Sequence, residues 1–420
     1  MKKSIPILVI MLMILNTGYT QTNIKTMFYN LLYYPSGNPQ NRELILKDIL
    51  DTYQPDIFTV CELETREGAD EILTESIQES TPNFARAEFI SNQSDNSEDN
   101  QLQQMIFYNT DKFILERQQT HTTYIRDINQ YTLVLNTESQ ETNPIKIEYF
   151  VAHFKSSDGT ANKQIRLDMA NVYSAILETL DPEAYVIFSG DFNLYTSSEP
   201  AYHEILDPTN NIVMVDPINS DISFQSWHNN ESYSDRHTQA TRVNQLNGVG
   251  AYSGMDDRFD FTFISENLTT SSDLHYVSDT YKAYGNNQNC YNLDINDLNC
   301  TGIFSQSLRD DLYLMSDHLP VVMELFTPHN TLSLNEYSTQ DRLEIIGTNL
   351  IEKNLTLRIN NNLFNSQLYI YNQLGQLVKT ISTKSESQIS IDVSNLTNGI
   401  YVIKSSNNEF VNPIKFFKTH

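Results

Sequence analysis

The chain runs to 420 residues, with 27 Lys and Arg against 53 Asp and Glu, and it contains only 13 Gly, 13 Pro and 3 Cys. That composition excludes collagen-like, Pro/Gly-rich disordered and disulfide-dense scaffolds, and the length suits either two or three globular domains or a large sandwich followed by a small module. The net charge of −26 is unevenly spread: residues 1–20 carry +2 and residues 331–420 carry +1, which leaves −29 for residues 21–330. A field of that sign opposes non-specific polyanion binding and suits a divalent-cation protein, although solubility outside the cell accounts for much of it.

Lys2 and Lys3 precede an 11-residue apolar stretch, Ile5–Leu15, interrupted only by Pro6. This reads as a secretory signal peptide, residues 1–20, cleaved after Thr20, because a membrane span needs about 20 apolar residues. No other segment reads as a span, so no stable membrane insertion is expected. Strands are expected at Ile24–Tyr29, Asp56–Val60, Met105–Tyr108, Tyr131–Asn136, Ile145–Phe154, Tyr185–Ser189, Phe261–Ile264 and Val321–Phe326, all rich in β-branched and aromatic residues. Helices are expected at Asn41–Thr52 and Ala161–Leu180, where apolar residues recur near a 3.6-residue period. The polar stretches Ser91–Gln103 and Asn219–Gly254 read as long functional loops, too polar for the core. Cys290 and Cys300 lie in polar loop sequence, and after export they either pair or stay free; Cys61 reads as a small buried residue. After a linker at 328–340, alternating runs with turn signals at Gly375 and Asn398-Gly399 predict a small β-sandwich over 341–420.

Chemistry-bearing residues recur at strand ends: Asn30, Glu62, His153, Asp191, Asn193, Asp260, Asp317 and His318. Taken singly, each has an ordinary reading as a cap or turn residue. Together they supply the oxygen ligands that hold a hard cation and the imidazoles and carboxylates that phosphoryl transfer to water requires. Asp260 is a suitable partner for His318, holding its tautomer. A zinc site is disfavoured, since neither paired Cys nor a His-x-x-x-His spacing occurs.

Across residues 21–327 the ordered pieces MFYNLL, PDIFTVCELE, MIFYNTDKF, VAHFKS, SGDFN, DRFDFTFIS and SDHLPV resemble the endonuclease/exonuclease/phosphatase superfamily. The resemblance implies a deoxyribonuclease-I-like α+β fold, a four-layer α/β sandwich. It also implies Mg²⁺, or alternatively Mn²⁺ or Ca²⁺, held by Asn30, Glu62 and Asp317. His153, Asp191, Asn193, Asp260, His318 and Tyr108 would carry the catalysis. Lys155 and Arg242 are expected to contact substrate phosphate. Cys61 stands where the family commonly has Gln, and no carboxylate partner is assigned to His153. The segments QLYIYNQLGQLVKTI and ISIDVSNLTNGIYVIK, with a Lys-rich end, resemble the type IX secretion sorting domain of Bacteroidetes; export through the periplasm, to release or the cell surface, is the implication. The expected function is that of a monomeric secreted endonuclease acting on DNA or RNA. A sphingomyelinase-like phospholipid phosphodiesterase, a phosphomonoesterase and a non-catalytic surface binding protein remain as alternatives.

Overall fold

A computed structural model of the protein describes residues 22–37, 39–94, 102–219, 224–331, 344–346, 350–359, 366–384, 388–405 and 414–419. The expected signal peptide and most of the expected linker lie outside the described residues. The chain divides into two compact units, Met1–Ser333 and Leu334–His420.

The strands of the first unit are β1 (Thr22–Tyr34), β2 (Ile57–Leu63), β3 (Phe84–Arg86), β4 (Gln103–Asn109), β5 (Phe113–His121), β6 (Ile128–Leu135), β7 (Lys146–His153), β8 (Tyr185–Asp191), β9 (Met214–Val215), β10 (Asp260–Ser265), β11 (His275–Tyr276), β12 (Lys282–Ala283) and β13 (Val321–Thr327). Its α-helices are α1 (Arg42–Tyr53), α2 (Arg66–Glu71), α3 (Thr160–Leu177), α4 (Pro200–Ile205) and α5 (Gln306–Met315). One sheet runs β11-β13-β1-β2-β4-β3, with β12 also on β13, and the other runs β5-β6-β7-β8-β10-β9. Only β1–β2 and β7–β8 are parallel pairs within these sheets, and each is joined through a helical crossover, α1 or α3.

Residue alternation explains the four layers. In β7, Tyr149 and Val151 enter the core shared by the two sheets, whereas Phe150 and Ala152 belong to the outer core with Met169, Tyr173 and Leu177 of α3. On the other side, Leu46, Ile49 and Leu50 of α1 and Leu312 and Met315 of α5 join the first sheet. The order is thus helices, sheet, sheet, helices: the four-layer α/β sandwich expected from the sequence.

Besides short elements and the strand β5, which the sequence reading did not include, three departures from it bear on the site. β1 continues past Tyr29 to Tyr34, so Asn30 sits within the strand. α5 was not expected, because its apolar stripe is only Leu308, Leu312 and Met315; Ser305 Oγ caps it by accepting from Leu308 N at 3.3 Å. The Asn219–Gly254 stretch is not wholly a solvated loop: Trp227, His237, Thr238, Thr241 and Arg242 are fully buried. Its polar groups are met internally, as where His237 Nε2 lies 2.8 Å from Trp227 O and Thr238 N donates to Asp257 O at 2.7 Å.

The second unit is all-β. One sheet contains Glu344–Ile345, Asn354–Arg358 and Gln388–Asp392; the other orders Leu350–Ile351, Ile414–Lys418, Gly399–Ser405, Gln367–Asn372 and Leu377–Ser382. Leu355, Leu357, Leu368, Ile370, Ile391, Ile403 and Phe416 fill its core. Among the described residues of the whole chain, no helix is long and apolar enough to cross a membrane.

Candidate active site

The topology brings eight sequence-predicted residues to one end of the two sheets. Asn30 and Glu62 lie near the C-terminal ends of parallel strands β1 and β2, and His153 and Asp191 are register partners at the ends of parallel β7 and β8. Asp260 opens antiparallel β10 opposite Asp191, and Asp317-His318 lead into antiparallel β13, so both arrive at the same end. Asn193 follows β8 directly. The β2 register shifts against β4 between Val60 and Leu63, a bulge that turns Glu62 toward the site. Glu62 and Asn193 hold φ values of 57° and 52°, in the left-handed region. Such strain costs a non-Gly residue about 1–3 kcal/mol and concentrates at functional sites.

The cluster is tightly hydrogen-bonded. His318 Nδ1 lies 2.7 Å from Asp260 Oδ2, and its Nε2 lies 2.6 Å from the Gln239 side-chain amide and 3.7 Å from Asp191 Oδ2. On the other side of Asp191, His153 Nε2 is 3.5 Å from the same Oδ2, and His153 Nδ1 is 4.0 Å from Glu62 Oε1. Those two acids are the carboxylates nearest His153. Asn193 Nδ2 donates to Asp191 Oδ1 at 2.8 Å.

Burial and charge drive the two histidines apart. Burial alone would lower His318, but the carboxylates of Asp260, Asp317 and Asp191 outweigh it and hold the ring well above its ordinary value, as an imidazolium. Burial lowers His153 well below, and the charges of Arg126, His318 and Lys155 add to the effect, so this ring is neutral. Desolvation, opposed by His318 and aided by Asp260 and Glu62, holds Asp191 above the ordinary carboxylate range. Glu62 is also raised, by burial and then by Asp317.

Several expected residues behave differently. Asn30 turns its amide nitrogen inward, donating to Glu62 Oε1 and Asp191 Oδ2 at 3.0 Å each, while its Oδ1 accepts from Leu32 N at 3.0 Å. It therefore cross-links two acids. Tyr108 does not join the cluster, because it pairs with Ile57 at the opposite end of β2 from Glu62. Arg242 is not at the surface: buried, it donates through Nε to Tyr313 O at 2.7 Å and through Nη2 to Leu314 O at 3.1 Å. With Arg42, which reaches Met315 O at 2.6 Å, it holds the last turn of α5 immediately before Asp317. Lys155 is near His153 and donates to its neighbour Ser156 O at 2.9 Å.

Residues that the sequence reading missed complete the surround. Arg126 donates to Phe154 O at 3.1 Å, and its charge is felt by Glu62, His153 and Tyr33. Nothing but an isolated Arg before a strand marked it. Gln239 sets its side-chain amide beside the outer nitrogen of His318, where a charged ring, having no acceptor, is met by the amide oxygen and not by its nitrogen; Tyr33 N donates to Glu62 Oε2 at 3.1 Å.

The donor set fits a hard divalent cation. Glu62, Asp191 and Asp317 bring carboxylate oxygens to a buried site, and Asp317 Oδ1 and Asp260 Oδ1 are buried without a hydrogen-bond partner. Glu62, His153 and Asp191 each place a ligand atom within 4.8 Å of the others, as do Asp191, Asp260 and His318. A cation would relieve the repulsion that raises Glu62 and Asp191.

Comparison with known proteins divides along the two units. Residues 351–417 match the family described as the secretion system C-terminal sorting domain. No curated protein matches the chain. Similar solved structures include the human Nocturnin catalytic domain, 15% identical, covering 74% of this chain and 98% of that one with a TM-score of 0.45. An endonuclease/exonuclease/phosphatase family protein of Bacteroides thetaiotaomicron is 17% identical over 74% of this chain and 99% of that one, with a TM-score of 0.44. A mannosyl-6-phosphatase of the same organism is 17% identical over 72% and 99%, with a TM-score of 0.43.

Proposed function

We propose that this chain, which ends in a secretion-system sorting domain, is an exported, divalent-metal-dependent phosphodiesterase that hydrolyses nucleic acid. The observation that carries the reading is Asp191 Oδ2 standing between two imidazoles of opposite protonation, 3.5 Å from neutral His153 and 3.7 Å from charged His318. Environments that push two like groups apart in pKa assign the base and the acid. When bound by Glu62, Asp191 and Asp317, Mg²⁺ supplies charge that stabilises the phosphoryl oxygens.

The chain's own residues do the rest. Asn193 and Asp191 orient a water against phosphorus, and neutral His153 is the acceptor for its proton. His318, held charged by Asp260, donates to the oxygen that gains charge as the P–O ester bond breaks. Arg126 faces the same space with a guanidinium suited to a second phosphoryl oxygen. The type IX route would carry the enzyme through the periplasm to the surface or the medium, as a monomer.

The test is hydrolysis of DNA and RNA by the purified full chain with Mg²⁺, against EDTA and against His318→Ala. Metal-dependent cleavage that the substitution abolishes supports the reading; no cleavage by folded, metal-loaded protein refutes it. One observation favours a second reading, a phospholipid-headgroup phosphodiesterase: Leu298 and Ile303 project into solvent from the segment around the Cys290–Cys300 disulfide. Sphingomyelin turnover without nucleic-acid turnover would select it.

A further inference from the structure

Four aromatic side chains of the first unit are exposed among the described residues: Tyr33 at 42%, Tyr124 at 66%, Phe224 at 68% and Tyr252 at 60%. Tyr33 lies near the end of β1 and the other three on loops, all tied to the site. The N–H of Tyr33 itself donates to Glu62 Oε2, and its phenol feels the charges of Glu62, Arg126 and Asp317. Tyr124 precedes Arg126 by two residues. Tyr252 adjoins Ala251, whose N–H donates to Asp317 Oδ2 at 2.5 Å, and the same loop packs Gly250 against Leu32. Phe224 precedes Gln225, whose N–H donates to Ser197 Oγ at 2.7 Å on the loop after Asn193. Among the exposed aliphatic residues of this unit, Leu44 lies on α1 and Ile114 on β5. Isolated exposed apolar side chains are ordinary, but aromatic rings confined to one rim are not a solubility feature.

Few cations reach the acid and imidazole cluster itself. Arg126 and Lys155 are the basic side chains whose charges reach His153, within a segment of net charge −29. Duplex binding draws most of its affinity from many phosphate contacts, more than Arg126 and Lys155 supply. Stacking on aromatic side chains asks little of charge and requires unpaired bases.

We infer that the substrate is single-stranded nucleic acid, its bases stacked on the rim aromatics and one or two phosphates held by Arg126 and Lys155. The inference rests on the phosphodiesterase reading and adds the form of the substrate.

The experiment compares the purified full chain, with Mg²⁺, on a 5′-labelled oligonucleotide of about 20 nucleotides as DNA and as RNA, and on each annealed to its complement. The expected kcat/KM is at least about tenfold higher on the single strand, with a log–log salt slope near −1.4, two phosphates at about 0.7 each. Tyr124→Ala and Tyr252→Ala are each expected to raise KM on the single strand at least about fivefold, with the Phe variants close to wild type. Ile114→Ala, on distant β5, should leave KM unchanged. Equal or faster duplex cleavage, a slope steeper than about −4, or alanine variants of unchanged KM would overturn the inference. Bis(4-nitrophenyl) phosphate separates the two levels. Its hydrolysis together with equal or faster turnover of the duplex overturns this inference and leaves the nucleic-acid phosphodiesterase reading intact; its hydrolysis without turnover of any nucleic acid, or no hydrolysis of anything, overturns both.

Discussion

Asp260 governs the state of His318 through one hydrogen bond of 2.7 Å, and His153 lacks an equivalent carboxylate, which is why one chain holds two buried histidines in opposite protonation states. Replacing Asp260 by Asn keeps the shape but removes the charge that opposes desolvation. Such a change costs about 10²–10⁴ in kcat by analogy with other imidazole–carboxylate pairs, and steady-state kinetics on a folded variant will measure it. The pH dependence follows with a definite sign. His153 must be neutral and its pKa is depressed, so the acidic limb of kcat/KM falls below the ordinary histidine range; His318 must be charged and its pKa is raised, so the alkaline limb falls above it. A broad plateau across neutral pH is expected, and a single inflection near 6.5 would contradict the assignment. Arg126→Ala should raise KM about tenfold or more, the loss of one charge-assisted contact, with Arg126→Lys in between.

One buried ion pair fastens the two loops that follow β7 and β8. Arg166 of α3 donates to Glu199 Oε2 through Nε at 2.9 Å and Nη2 at 2.8 Å, and its Nη1 reaches Lys155 O and Ser157 O at 2.9 Å each. Glu199 Oε1 accepts from Tyr195 N at 2.9 Å, so the residues two beyond His153 and Asn193 share one clamp. Arg166→Met leaves a buried carboxylate uncompensated and should cost about 3–5 kcal/mol in chemical denaturation, most of it recovered by a second change, Glu199→Leu. The Cys290–Cys300 disulfide spans 10 residues, and its replacement by Ser at both positions should cost about 2–3 kcal/mol. Elements of this kind were unevenly legible in the sequence. Strand alternation and the positions of Glu62, His153, Asp191 and His318 could be read, because residues that end strands are carried to one edge by topology. Arg242 was misassigned because nothing local tells a cation that binds phosphate from one that caps helix carbonyls. Tyr108 was misassigned because strand register, which sends it to the far end of β2, is a long-range property. Arg126 went unnoticed because its approach to His153 depends on the packing of two loops distant in sequence.

The molecule as a whole concentrates negative charge in residues 21–330 and gathers three acids, Glu62, Asp191 and Asp317, into one buried site. Folding alone therefore stores repulsion there, and a divalent cation binding the native state should release it. Mg²⁺ at about 100 times its Kd is expected to add about 2.7 kcal/mol to the first unit, seen in calorimetry as a transition several degrees higher than in EDTA. Asp191→Asn should remove most of that response. The sorting-domain match and the acid and imidazole cluster fall in separate compact units. The most direct test of the account is release of 4-nitrophenolate from bis(4-nitrophenyl) phosphate by the purified full chain, with Mg²⁺ and with EDTA, beside Asp191→Asn. The account predicts metal-dependent turnover that Asp191→Asn lowers by at least about 10³. Turnover that survives EDTA and the substitution, or none from folded protein that binds Mg²⁺, would contradict it.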